Sequence, residues 1–129
     1  MNKIIIEVSI GELLDKISIL EIKQKKIKDS EKLKFINNEY SILKDQLEKN
    51  VRSDDKLDKL YQVLKDINTK LWVIEDDKRK CEKDKNFGEK FIKLSRDVHF
   101  LNDDRAKIKL EINNHTGSVI KEIKEYTNY

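Results

Sequence analysis

No proline occurs anywhere in the 129 residues, and only three are glycine. Proline removes a helix donor and clashes with the preceding turn, and glycine costs about 1 kcal/mol relative to alanine in a helix interior. A chain without such breaks is free to run in long helices, and its apolar residues are spaced to do so. Leu57, Leu60, Leu64, Ile67, Leu71 and Ile74 recur at alternating three- and four-residue steps. That is a heptad seam of the kind that bundles and coiled coils use. Charged residues make up 41% of the chain and hydrophobic ones 37%, against a usual charged share of about a quarter. The mixture suits slender helices with a narrow apolar stripe and wide charged faces. The expected fold is therefore all-α: an antiparallel bundle of three to four long helices with coiled-coil-like packing. It would form one domain over residues 1–129, with an arm at 1–8 and a tail at 118–129.

Local signals place the boundaries. Ser9 and Glu12 fit a capping box, in which the serine oxygen accepts from the third amide and the glutamate reaches back. They open a helix at about 10–28, whose stripe is Ile10, Leu13, Leu14, Ile17, Leu20 and Ile27. Ser30 serves as N-cap for a second helix at about 31–49, with Leu33, Ile36, Tyr40, Leu43 and Leu47 inward. Ser53 or Asp54 caps a third at about 54–84, and a fourth at about 88–114 carries Phe91, Leu94, Val98, Leu101, Ile108 and Ile112. Gly117 reads as a helix stop. The tail offers a further short helix through Val119, Ile120 and Ile123. Short loops favour antiparallel neighbours. An up-down-up-down layout sets Leu20 level with Tyr40, Leu43 with Leu60, and Leu71 with Leu101. The same seam also serves a homodimer in which hairpins pack across a two-fold axis, or a protein partner.

Net charge is +3, from 28 basic and 25 acidic residues of alternating sign, which argues against a nucleic-acid binder. The densest basic run, Lys23 to Asp29, reads as a solvated helix face. A single cysteine, Cys81, leaves no internal disulfide and suits a reducing cytoplasm. The longest apolar run, Ile4 to Ile6, is too short for a membrane span. Metal and cofactor binding get no support. Adjacent aspartates at 76–77 and 103–104 diverge by about 100° on a helix, and Cys81 and His99 stand at different levels. Ser95, His99 and Asp103 resemble a triad by residue type only, since a helix interior offers no free amides for an oxyanion hole.

The polar residues nearest the seam carry the functional interest. Asn68, Trp72, Glu75 and Arg79 form one stripe beside it, and Arg105 occupies a seam position between Leu101 and Ile108, flanked by Asn102 and Lys109. Folding the hairpin brings Arg105 level with Asn68, with Lys23 of the first helix close by. An arginine in a seam needs a partner or water, because an uncompensated buried charge costs several kcal/mol. Two readings follow. One is a polar layer that fixes helix register, with Glu75 or Glu21 as partner. The other is a site for a small anionic ligand built from Arg105, Lys109, Lys23, Lys16 and Arg79. Arginine's planar fork suits phosphate or carboxylate, and Trp72 stands where it could stack on a ring.

The strings SIGELLDKISILEIK (9–23), LWVIEDDKR (71–79) and NDDRAKIKLEIN (102–113) resemble an uncharacterised family of short bacterial and phage proteins, a domain of unknown function. GSVIKEIKEY (117–126) is a looser echo. The resemblance implies a small helical domain without an established activity, associated with surface-polysaccharide or glycosyltransferase systems. In architecture the expected bundle is also similar to the all-helical chorismate mutases. There inward cations stabilise a polarised transition state without covalent chemistry, although that family's arginine pattern is missing here. The sequence thus supports a helical interaction or accessory domain with an anion-competent polar layer. The alternative is a small enzyme or ligand-binding protein for a phosphorylated or carboxylated metabolite.

Overall fold

The computed structural model describes residues 1–129 and is all-α: α1 (Ile10–Lys26), α2 (Ser30–Asn50), α3 (Asp55–Lys83) and α4 (Glu89–Thr116). Side-chain caps start the first three. Ser9 accepts from the Glu12 amide at 3.1 Å, Asp29 from Lys32 at 3.0 Å and Asp54 from Leu57 at 2.7 Å. The second cap is thus Asp29, one residue before the expected Ser30. Of the two candidates for the third, Asp54 is used. The Leu57 amide, then the His115 side chain, hold the Asp54 carboxyl below its usual range. Gly117 ends α4 in the left-handed region at φ 68°, where glycine carries no Cβ penalty.

The four helices do not form a ring. α1 packs against each of the other three, and α3 packs along α4, but α2 lies close only to α1. Leu43 and Leu60 are therefore not level partners across a packed α2–α3 hairpin, as the simple up-down layout expected. The reason lies in the stripes. That of α2 is narrow and buries Ile36 alone, whereas α1 buries Leu14, Ile17, Leu20 and Ile22 with Gly11, Asp15 and Ser18 among them. A helix with so broad a buried face becomes the hub. The α1–α2 register is marked by Gln24 donating to Asn37 at 3.0 Å, and that of α3–α4 by Arg105 donating to Asn68.

The densest apolar cluster sits at one end of the bundle. Leu14, Leu57, Leu64 and Ile112 are buried there, with Ile10, Leu47, Val51, Leu60, Tyr61 and Ile108 packed around them. At 29 residues α3 is about 44 Å long, against about 26 Å for the 17 residues of α1, so the α3–α4 hairpin outruns the hub. No helix is long and apolar enough to cross a membrane.

The tail does not form the expected short helix. After Gly117 it runs back along α4 without helical hydrogen bonds. The Ser118 hydroxyl donates to the Ile120 carbonyl at 2.7 Å, Lys109 donates to Glu122 at 3.0 Å, and the Tyr129 hydroxyl donates to Asp103. Tyr129 also stacks edge-on against Phe100 and His99. So short a segment is marginal as a helix alone, and these side-chain contacts hold it extended.

Candidate functional site

Polar residues interrupt the seam where α1, α3 and α4 meet. On α1, Asp15 and Ser18 directly follow Leu14 and Ile17, so the buried face carries them inward. Asn68 follows Ile67 on α3, and Arg105 stands between Leu101 and Ile108 on α4. Asn68 is the hub of the network. Its Nδ2 donates to Asp15 Oδ1 at 2.7 Å and to Ser18 Oγ at 2.8 Å. Its Oδ1 accepts from Arg105 Nη1 at 3.2 Å. Ser18 closes the chain by donating to the Asp15 carbonyl at 2.8 Å. Arg105 Nη2 donates to Asn102 Oδ1. This arginine is half-buried and bonds two neutral amides. Of the carboxylates that could have matched its charge, Glu21 lies 3.8 Å from Lys65 and Asp15 lies 3.6 Å from Lys109, while Glu75, lining the same groove, forms no ion pair with it.

One turn further along α4, Lys109 is buried and donates to Glu12 at 2.7 Å and to Glu122 of the tail at 3.0 Å. Burial alone would pull its ammonium pKa down, but the hydrogen bonds to Glu12 and Glu122 outweigh this and hold it above the usual lysine value. Lys109 is thus consumed inside the fold. Glu12 does not reach back to complete the capping box; it serves Lys109 and, at 3.7 Å, Lys16. Below this level the helices touch. The Gly11 amide donates to Asn113 Oδ1 at 2.7 Å, and a Cβ on Gly11 would lie 2.7 Å from the Lys109 carbonyl oxygen.

On the other side of Asn68 the helices part and leave an open groove of about 320 Å³, near the lower end of the range for small-molecule sites. Ile19 and Ile22 of α1 and Leu71 of α3 form its apolar floor, Trp72 and Asn68 a wall, and Glu75, Asp76, Arg79 and Arg105 its polar rim. Five of the residues singled out from sequence therefore converge here: Asn68, Trp72, Glu75, Arg79 and Arg105. Asn102 supports Arg105 from behind. Lys23, half-buried on α1, is one turn past Ile19 and is not part of the lining, and the exposed Lys16 pairs with Glu12 at the opposite level. Sequence reasoning missed Asp15, Ser18, Ile19 and Ile22; Asp76, weighed there with Asp77 as a metal pair, also lines the rim. No group of three or more His, Cys, Asp or Glu side chains is arranged to hold a metal ion.

Fold and groove together define a small all-α bundle protein with a polar seam. The chain belongs to the Family of unknown function (DUF6165), whose model matches residues 4–129 and so includes the whole tail. No curated protein and no solved structure matches the chain significantly.

Proposed function

We propose that residues 1–129 act as one non-catalytic interaction or accessory domain whose groove holds a small anion-bearing ligand. A single observation carries this reading. A half-buried guanidinium stands at the rim of an open groove, bonded only to neutral amides, beside a second arginine. A phosphate or carboxylate would supply the missing charge through two parallel hydrogen bonds. Trp72 would stack on a sugar or base ring, and Glu75 and Asp76 would accept from hydroxyls. Sugar phosphates and nucleotide sugars combine these features, and such a ligand would suit a role in surface-polysaccharide or glycosyltransferase systems. The rim contains no serine, cysteine, histidine or lysine; its nucleophilic groups are the Glu75 and Asp76 carboxylates.

A second reading is favoured by the two arginines facing one groove: electrostatic turnover of a phosphorylated or carboxylated metabolite. Thermal unfolding against nucleotide sugars, sugar phosphates and dicarboxylates, with Arg105→Ala beside the parent, tests the first. A ligand at 100 times its dissociation constant stabilises by about 2.7 kcal/mol, and Arg105→Ala should abolish that gain. Absence of a shift with every anion overturns it, and product formation in the same mixtures would replace it with the second.

A further inference from the structure

The groove makes no use of the N-terminal arm. Its three isoleucines, Ile4, Ile5 and Ile6, are 89%, 83% and 73% exposed, and the arm has neither helix nor ladder. β-branched residues of this kind fit a pleated strand best. Alternation along a strand puts Ile4, Ile6 and Val8 on one face and Lys3, Ile5 and Glu7 on the other. From Ile4 to Val8 the first face is wholly apolar, with Asn2 at its end.

The segment is also its own complement. In an antiparallel pair centred on Ile5, that residue faces Ile5 of a second copy, Ile4 faces Ile6, and Lys3 faces Glu7 twice over. A parallel in-register pair would instead set lysine against lysine and glutamate against glutamate, which is unfavourable. An isolated two-stranded ribbon is marginal in water unless one face is covered. A cover lies at hand. The Ile10 amide donates to Ser118 Oγ at 3.1 Å, which ties the root of the arm to the root of the tail. There Val119 and Ile123 are 99% and 76% exposed.

We propose that a second copy of this chain pairs through the arm, forming an isologous antiparallel ribbon centred on Ile5 whose apolar face rests on the two tails. Such an interface is closed by its two-fold axis. It shares no residue with the groove, so either proposal can fail alone.

Sedimentation velocity over a concentration series, with disulfide trapping, tests it. The parent should show a concentration-dependent dimer. Lys3→Glu and Glu7→Lys should each weaken it by roughly tenfold, since each turns two attractive contacts into repulsive ones, and the double exchange should restore it. Ile5→Cys should trap a disulfide dimer with itself, whereas Ile4→Cys should cross-link faster with Ile6→Cys than with itself. The buried Cys81 leaves the parent as an uncross-linked control. These substitutions lie outside the helices, and an unchanged circular dichroism spectrum verifies the fold. A parent that stays monomeric to millimolar concentration overturns the proposal. So does a dimer indifferent to the charge exchange, or cross-linking without regard to register.

Discussion

Replacing Asn68 by alanine removes the hub of the buried network and leaves its partners behind. Asn68 is 4% exposed, so water does not reach the vacated positions freely. Asp15 loses a 2.7 Å donor and Ser18 a 2.8 Å one, and Arg105 loses its acceptor at 3.2 Å. A hydrogen bond to a charged group contributes about 1.5–3 kcal/mol and a neutral one about 0.5–1.5. Arg105 counts for less because it is half-exposed to solvent. The expected loss is about 3–5 kcal/mol, a large part of the roughly 5–15 kcal/mol that holds a domain folded. Urea unfolding followed by circular dichroism measures it, and the dependence on denaturant should keep its slope. Asn38→Ala on the exposed face of α2 is the control and should change stability by less than about 0.5 kcal/mol. A loss below about 1 kcal/mol for Asn68→Ala would refute the claim that this layer holds the three helices in register.

Other substitutions test neighbouring levels. Gly11→Ala should gain less helix propensity than the about 1 kcal/mol of an interior site, because Gly11 lies in the first turn of α1. It should nevertheless destabilise on balance in thermal unfolding, because the added methyl meets the Lys109 carbonyl at 2.7 Å and overpacking costs about 1–3 kcal/mol. Lys109→Met should cost about 3–5 kcal/mol by leaving the buried Asp15 uncompensated, and adding Asp15→Asn should recover part of it. The tail should loosen in acid before the helices do. The Lys109 hydrogen bond holds the Glu122 carboxyl below its ordinary 4.5, so its contribution is present above that value and fades as pH falls through the lower folded value. Backbone 15N relaxation of residues 118–129 across the pH series reads this directly, and Glu122→Gln should remove the dependence.

The helices were legible because their apolar residues keep a three-four rhythm that no proline interrupts. The level pairing of Arg105 with Asn68 followed from folding one hairpin about its loop, and Trp72, Glu75 and Arg79 share the Asn68 face by spacing alone. What α1 contributes was harder to see. Asp15 and Ser18 sit within its apolar face, beside Leu14 and Ile17, and that misplaced polarity was the available signal. Lys109 looked like a free cation because its three carboxylates come from α1 and from the tail, and only the fold brings them together. The peripheral place of α2 depends on how broadly α1 is buried, a property of the packed helix. The tail's path is fixed by contacts of Glu122 and Tyr129 with α4 rather than by local propensity.

The one tryptophan of the chain lines the groove, so its emission reports directly on occupancy. Titrating sugar phosphates and nucleotide sugars while following Trp72 fluorescence should give a saturable change in the parent. Arg105→Gln should weaken that response by tenfold or more, as expected for losing a charge-assisted bidentate contact, while its circular dichroism stays unchanged. A signal that never saturates with any phosphate- or carboxylate-bearing ligand, or one that Arg105→Gln leaves intact, would contradict an anion site in the seam.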